Sequence, residues 1–316
     1  MGKLRKIHTR LSNCRTDTKA FGLFVGLTNM MWPIIVHLPG CIRNIILRKK
    51  EQIVYSCIQK YCSEVIKKYQ NEEIHPSLSY ISWKAPVFVC WLQGENNAPL
   101  VVKRCVESIR KHIGSHPLYF VSADNYTEYV TLPSRVVQLW QNQQIGNAHF
   151  ADILRCALLC EHGGCWIDAT IWMSGDIKED VFEYPFYSCR FADDGKYVTR
   201  NIWSNFFLAA QPQSVTMHFV RDVLYEYLKQ QPRFVDYFLM DYIIRWGYDY
   251  IHSIKKELDA IPMNNESVHE LVRKLHEPTE SDEVQEIISR SYLHKLSWRI
   301  DVSQFALGST GYDILK

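Results

Sequence analysis

The sequence predicts an α/β fold, with a Rossmann-like core of strands and helices behind an N-terminal helical appendage. Short apolar runs that suit buried strands alternate with segments of helical periodicity between residues 86 and 172. A Gly-Gly pair, Gly163-Gly164, separates one such helix from the strand that follows it. The chain has 316 residues, of which 47% are hydrophobic, so it can build one large domain plus an appendage.

The composition excludes several classes of protein. Charged residues make up 22% of the chain, and the net charge of +2 is too small to indicate nucleic-acid binding. The N-terminal eighteen residues are basic and polar, so we predict no cleavable signal and a reducing, cytoplasmic environment for the ten cysteines. The spacing of Cys156, Cys160, His162 and Cys165 matches no common zinc template.

Residues 1–80 are predicted to form a separate basic and apolar segment with a helix, which could associate with a membrane surface. Residues 20–42 carry no formally charged side chain and have basic residues on both sides. A membrane-spanning helix needs about 20 apolar residues, and this run is only just that long. Pro33 and Pro39 also interrupt it. Three arrangements fit the pattern: contact with an anionic membrane surface through residues 20–50, packing on the domain that follows, and a spanning helix.

The elements that follow alternate between helix and strand. Residues 51–70 have helical periodicity, and the polar residues 71–84 form a connector before a domain at 81–316. The next predictions are a strand at 87–91, a loop at 92–98, a helix at 99–113 ended by Gly114, and strands at 118–122 and 136–140.

The stretch from His149 to Trp172 is the most informative in the chain. Ala151, Leu154, Ala157 and Leu158 recur at helical spacing before the two glycines. Cys165-Trp166-Ile167 then suits a buried strand, and Asp168-Ala169-Thr170 follows at its carboxyl end. Ligands bind at that end of the strands in open α/β sheets, so a carboxylate there is placed to hold a divalent cation or a substrate hydroxyl.

Beyond Trp172 the pattern of strand and helix is mixed. The region contains a strand at 203–210 and helices at 215–229, 234–250, 266–275 and 280–292. Asn205 and Asp241 are polar residues inside apolar runs, so burial of either would require a hydrogen-bonding partner.

A family resemblance rests on the stretch between residues 151 and 170. The segments Ala151-Asp152-Ile153-Leu154-Arg155 and Gly163-Gly164-Cys165-Trp166-Ile167-Asp168-Ala169-Thr170 resemble the sugar-binding pattern of the capsular polysaccharide synthesis protein family. That family is related to the glycosyltransferases with an Asp-x-Asp motif. The resemblance implies a glycosyltransferase type A fold that moves a hexose, with retention, from a nucleotide-sugar donor to a glycan or lipid-linked acceptor. The basic flanks of residues 20–42 and the predicted reducing environment favour a cytoplasmic location at the inner face of the cell membrane.

The same resemblance implies roles for individual residues. Asp168, with Thr170, would hold Mn²⁺ or Mg²⁺ against the diphosphate, and Asp152 and Arg155 would orient the sugar during catalysis. Thr170 stands where the motif has its second Asp, so a metal held mainly by diphosphate oxygens would also be compatible. The remaining predicted donor-binding residues are Trp91 as a platform for the base, Gln93, Gly94, Gly164, Asn205, Asp241, His294 and Lys295.

Simpler interpretations remain for each of these residues. Asp168 could cap a turn, Asp152 and Arg155 could form an intrahelical salt bridge, and Trp91 could belong to the core. His294-Lys295 could lie on the surface at a helix end, and Asp193-Asp194 is best interpreted as a solvated turn. Two other functions also fit: an inactive glycan- or nucleotide-binding scaffold, and a glycoside hydrolase, for which the sequence offers no convincing second carboxylate.

Overall fold

The computed structural model of the chain describes residues 2–71, 84–193 and 195–316, with side chains from residue 10 onward. The helices are α1 (Gly2–Phe21), α2 (Leu23–Ile35), α3 (Gly40–Asn71), α4 (Leu100–His112), α5 (Ser134–Gln141), α6 (Asn147–His162), α7 (Val215–Gln230), α8 (Leu239–Tyr250), α9 (His252–Asp259), α10 (Asp282–Arg290) and α11 (Thr310–Leu315). The strands are β1 (Val87–Cys90), β2 (Leu118–Val121), β3 (Gly164–Ile167), β4 (Ile171–Met173), β5 (Phe186–Ser188), β6 (Phe207–Ala210) and β7 (Leu293–Lys295).

Five strands form one sheet in the order β2-β1-β3-β6-β5, and β4 and β7 form a second, two-stranded sheet. Strand β1 pairs in parallel with β2 and with β3, whereas β6 runs antiparallel to both β3 and β5. The mixed α/β architecture and the largely parallel sheet confirm the predicted fold class at this level. The carboxyl ends of β1, β2 and β3 therefore meet the beginning of β6 at one edge of the sheet.

Helix α6 packs its apolar residues into the core and ends at the predicted glycines. Leu154 and Leu158 are completely buried, as the helical spacing predicts. Gly163 follows the helix with a φ of 64°, and Gly164 opens β3 with a φ of 90°. A side chain on Gly164 would collide with the start of β1, because its Cβ would lie 2.1 Å from the carbonyl oxygen of Pro86. The Gly-Gly turn thus sets how closely β3 approaches β1.

The N-terminal helices pack on the body of the protein. Gly22, with a φ of 93°, separates α1 from α2, and Gly26 lets the two helices approach closely. Helix α3 is kinked at Cys62 and packs against α7 and α8. Buried Lys50 forms an ion pair with buried Asp236. This packing matches one of the three predicted arrangements, and no helix in the described ranges is long and apolar enough to cross a bilayer.

Four sequence predictions need correction. Residues 136–140 lie in helix α5, not in a strand, because Pro133 precedes a helical start and Val136 and Leu139 are buried one turn apart. Residues 266–275 form turns and a short 3₁₀-helix instead of an α-helix. The carbonyl of Val268 accepts a hydrogen bond from the N–H of Lys295, so this backbone is tied to β7.

The other two corrections concern helix boundaries near the site. The helix predicted at 234–250 begins only at Leu239, and the one predicted at 280–292 is α10, which ends at Arg290. His294 and Lys295 consequently lie on strand β7, not at the end of a helix. Only the two ends of the predicted connector 71–84 are among the described residues. Asp194 also lies outside the described residues.

We predict that Gly164→Ala lowers the free energy of unfolding by more than about 2 kcal/mol, since it combines an unfavourable φ with a backbone collision. Gly114→Ala is the matched control: Gly114 has a φ of 60° but nothing within 4 Å of an added Cβ. Urea unfolding of the two variants measures the difference. Equal losses of stability would show that the contact between Gly164 and Pro86 carries no special constraint.

Candidate functional site

Several elements deliver charged side chains to the carboxyl edge of the sheet. Asp168 follows β3, and its backbone N–H donates to the carbonyl oxygen of Phe206 at 2.8 Å, just before β6 begins. Lys295 ends β7, where it is paired with Ile171 of β4. Arg155 comes from the middle of α6. The edge therefore gathers residues that are far apart in the sequence.

Asp168 lies at the centre of this cluster. Its Oδ1 accepts hydrogen bonds from Trp166 Nε1 at 2.9 Å and from Arg155 Nη2 at 3.3 Å, and its Oδ2 accepts one from Lys295 Nζ at 2.6 Å. Burial alone would raise the pKa of this carboxyl, but the charges of Lys295 and Arg155 outweigh it and lower the pKa to about 2. Asp168 is therefore ionised throughout the physiological range.

Arg155 forms ion pairs with both Asp152 and Asp168 through its buried guanidinium. It is only 6% exposed, and its Nη1 lies 3.2 Å from Asp152 Oδ1 and donates to the carbonyl oxygen of Asn205 at 2.8 Å. Its guanidinium lies 5.0 Å from the centre of the Trp166 ring, a cation–π distance. The intrahelical salt bridge considered from the sequence exists, but it belongs to a larger network that includes Asp168.

Two further carboxyls, Asp152 within this network and Asp241 beside it, have raised pKa values. Burial, together with the negative charge of Asp168, raises the pKa of Asp152 to about 6 against the opposing charge of Arg155. Burial raises the pKa of Asp241 to about 7, although Trp203 Nε1 and Asn205 Nδ2 both donate to its Oδ1 at 2.9 Å. The site thus combines one carboxylate that is always ionised with two that titrate closer to neutrality.

Aromatic side chains border the charged cluster. Trp91 follows β1, and its ring packs edge-on against Trp298 with the ring centres 6.2 Å apart. The Trp91 indole N–H is buried and has no hydrogen-bonding partner among the residues that the structure describes. Gln93 and Gly94 lie in the turn that follows, where the N–H of Gly94 donates to the carbonyl oxygen of Trp91 at 2.9 Å. This turn lies at the same edge of the sheet as Asp168.

Two predicted donor-binding residues lie away from the cluster. Gly164 begins β3, whereas Asp168 follows its other end. His294 is completely buried and neighbours Lys295 on a strand, where consecutive side chains point to opposite faces. Its Nε2 lies 2.9 Å from Ser174 Oγ, and burial lowers its pKa to about 4, so the ring is neutral at pH 7. Lys295, by contrast, contacts Asp168 directly.

The cluster does not fit the metal site predicted at Asp168 and Thr170. Both oxygens of Asp168 already accept hydrogen bonds from cationic side chains, and Thr170 offers only a neutral hydroxyl. Among the described residues, no group of three or more His, Cys, Asp or Glu is arranged to hold a metal ion. Binding of Mn²⁺ or Mg²⁺ at Asp168 and Thr170 stays a prediction from the sequence.

The structure also adds residues that sequence analysis did not assign to the site. Trp166 stands two residues before Asp168 along the strand, a spacing that places both side chains on one face and could have identified it. Trp203 precedes Asn205 by the same spacing, and both bind Asp241. No comparable local signal marks Trp298, because long-range packing brings it against Trp91.

Comparison with known proteins supports a single family. A sequence model of the family described as capsular polysaccharide synthesis protein matches residues 39–313, which is well over half of the chain. The matched range contains the complete cluster and excludes α1 and α2. No curated protein matches the chain.

We predict that Asp241→Asn changes the pH dependence of stability. A carboxyl whose pKa is raised by folding stabilises the protein below its unfolded pKa of about 4, and this contribution is lost as the pH rises through about 7. Asn cannot ionise, and its side-chain oxygen can still accept from Trp203 and Asn205. Urea unfolding should therefore show that the variant gains at least about 1 kcal/mol over the wild type between pH 5 and pH 8. An unchanged difference between the two proteins across this range would contradict the raised pKa of Asp241.

Proposed function

The chain belongs to the capsular polysaccharide synthesis protein family, and from this premise we propose that it is a glycosyltransferase. It moves a hexose from a nucleotide diphosphate donor to a glycan or lipid-linked acceptor of a surface polysaccharide. One observation carries the proposal: Asp152, Arg155, Asp168 and Lys295 converge at the carboxyl edge of the sheet. This edge is where open α/β sheets bind their ligands.

The proposed fold relationship is to the glycosyltransferase type A class. Two features support it: strand β3, bearing the Asp168 motif, lies inside a largely parallel sheet, and β6 beside it runs antiparallel. Trp91, Gln93 and Gly94 follow β1 at the same edge, where an aromatic face could stack on the nucleotide base. Trp298, which is packed against Trp91, adds a second aromatic surface to this part of the site.

The proposed chemistry needs positive charge beside the departing diphosphate. Lys295 is about one quarter exposed and is held by Asp168, so its ammonium is oriented and within reach of a ligand. Asp168 keeps Lys295 in place by accepting a hydrogen bond from its ammonium. The low pKa of Asp168 keeps this carboxylate ionised, so the bond persists at every physiological pH. Charge of this kind, fixed before the reaction, stabilises negative charge as it develops in the transition state.

The sugar is oriented by the neighbouring network. Asp152 can accept hydrogen bonds from sugar hydroxyls, and Asn205 Oδ1 has no hydrogen-bonding partner in the described protein. No side chain in the cluster is assigned as a nucleophile, so we propose front-face attack with retention. The bond from the anomeric carbon to the diphosphate oxygen breaks as the bond to the acceptor hydroxyl oxygen forms. The hydroxyl proton leaves with the diphosphate.

The N-terminal helices are proposed to rest on the inner face of the cell membrane. Leu23, Leu27, Met31 and Ile34 are exposed and form one stripe along α2, since they are spaced by three or four residues. Basic side chains from α1 and α3 occur in the same appendage: Arg10, Arg15, Lys19, Arg43, Arg48 and Lys49. An apolar stripe accompanied by cations suits an anionic lipid surface, with the protein on its cytoplasmic side.

We predict that Asp168→Asn and Lys295→Met each reduce nucleotide release from a nucleotide sugar by about 10²-fold, the usual scale for loss of a transition-state charge contact. The assay uses purified protein and a panel of donors, each with Mn²⁺ and with a chelator. Asp176→Asn is the matched control, since its side chain is 85% exposed on the surface. Near-normal release by folded Asp168→Asn would remove the centre of this proposal. Calorimetry that detects no nucleotide binding by the wild type would favour a glycan-binding scaffold instead.

We predict that Leu23→Glu together with Ile34→Glu abolishes flotation with vesicles of phosphatidylcholine and phosphatidylglycerol, because the changes place charges in the exposed stripe of α2. Leu307→Glu is the control, since Leu307 is 82% exposed and lies far from α2 in the sequence. Point substitutions are preferable to deleting residues 1–50, which would remove Lys50 and leave Asp236 buried without its partner. Equal flotation of both variants would contradict the membrane surface proposed here.

A further inference from the structure

A cavity of about 630 Å³ lies between the N-terminal helices and the body of the protein. Arg10, Asn29 and Trp32 line it from the appendage, and His149 and Tyr237 line it from the body. Neither half encloses the cavity alone. It therefore exists because α1, α2 and α3 pack as they do.

Polar contacts fix the two halves against each other. Arg233 Nη2 donates to Asp17 Oδ1 at 3.0 Å, and Asn29 Nδ2 donates to the carbonyl oxygen of Val235 at 3.1 Å. The ion pair between Lys50 and Asp236 is buried beside them. Partly and fully buried charges keep their partners, because separating them leaves an uncompensated charge. The cavity is thus formed before any ligand arrives.

The lining suits a sugar better than a phosphate or an acyl chain. The Trp32 ring packs near Phe238, the His149 ring stacks on Phe234 with centres 4.1 Å apart, and Tyr237 is 60% exposed. Aromatic faces of this kind can cover the apolar faces of sugar rings while nearby polar groups bind hydroxyls. The charges nearly balance, with three cationic and two acidic lining residues: Arg10, Lys50 and Arg233 against Asp17 and Asp236.

Three lining side chains also carry buried polar atoms without a partner in the described protein. These atoms are Asn29 Oδ1, His149 Nε2 and Arg233 Nε. A buried donor or acceptor left unpaired is unfavourable, so such groups usually find a partner. A ligand rich in hydroxyls supplies both donors and acceptors, and small side-chain rotations would bring these atoms to it.

The cavity adjoins the charged cluster. His149 precedes Asp152 by three residues in α6, which places the two side chains one helical turn apart. The Tyr237 hydroxyl lies near the same charges. Although the residue as a whole is 60% exposed, partial burial of its hydroxyl and the negative charge of Asp152 raise its pKa, with a smaller contribution from Asp168. No residue of the charged cluster lines the cavity itself, but His149 and Tyr237 bring one wall of the cavity close to Asp152.

We propose that this cavity binds the acceptor as an uncharged saccharide, and that the N-terminal helices supply half of the acceptor site. The inference rests on the proposed function and names the acceptor class for it. His149 and Tyr237 are positioning residues that direct the acceptor hydroxyl toward Asp152 and Asp168. The membrane-facing stripe of α2 belongs to the same appendage, so the saccharide of a lipid-linked acceptor would reach the cavity from the membrane side.

The test is binding of labelled full-length protein to an array of defined neutral and acidic oligosaccharides without any nucleotide sugar. Ala148 is exposed and lines the cavity, so Ala148→Trp fills space without removing an existing side-chain contact. Ala260→Trp adds the same bulk at an exposed position outside the lining. We expect the wild type and Ala260→Trp to bind neutral glycans and Ala148→Trp to lose this binding.

A second variant keeps the proposal testable if Ala148→Trp does not fold. Tyr237→Ala should weaken glycan binding about tenfold, the scale of one lost aromatic contact. Tyr197→Ala is its control, because Tyr197 is also exposed and does not line the cavity. Absence of wild-type binding, a preference for acidic glycans alone, or unchanged binding by folded Ala148→Trp and Tyr237→Ala would overturn the cavity assignment.

Nucleotide release measured in parallel separates the two proposals. Donor turnover that depends on Asp168, combined with failure of the glycan array, would leave the transferase standing without this acceptor site. Glycan binding that depends on the cavity, without turnover of any donor, would leave the cavity standing in a protein that binds glycans but does not transfer sugar.

Discussion

The arrangement of the site depends on a guanidinium buried between two carboxylates. Arg155 lies almost out of solvent, with Asp152 on its own helix and Asp168 at the end of the neighbouring strand. Removing a partner from such a group leaves a charge that the interior cannot stabilise. Helix α6 and strand β3 must therefore keep their spacing, and the Gly163-Gly164 turn makes that spacing possible. Lys295 adds a second positive charge beside Asp168, and this ion pair holds β7 at the same edge of the sheet.

The part of this site that could be predicted from the sequence is the part encoded locally. Asp152, Arg155 and Asp168 fall within a single helix, turn and strand, whose periodicity and glycines can be recognised without other information. The close approach of β3 to β1 also follows from the glycine pair. The antiparallel direction of β6 does not, because an apolar run has the same pattern in either direction.

The remaining residues depend on contacts between distant segments. Strand β7 has only three residues, too few to show alternation, and it is a strand because it pairs with β4. That pairing decides which of two neighbours reaches the site: Lys295 contacts Asp168, and His294 points to Ser174 instead. Residues 136–140 are predicted as a strand from their apolar composition, but they form a helix. Val136 and Leu139, three residues apart, are buried on one face of that helix.

The three carboxyls of the site share one region but differ in protonation. Lys295 and Arg155 hold Asp168 ionised, whereas burial brings Asp152 and Asp241 toward neutrality. Environments that move neighbouring pKa values apart are typical of functional sites, because they let similar side chains take different roles. A site built only for stability would favour an amide at Asp241, which could satisfy Trp203 and Asn205 without the cost of burying a charge. The carboxyl at Asp241 is therefore better explained by the proposed site than by stability alone.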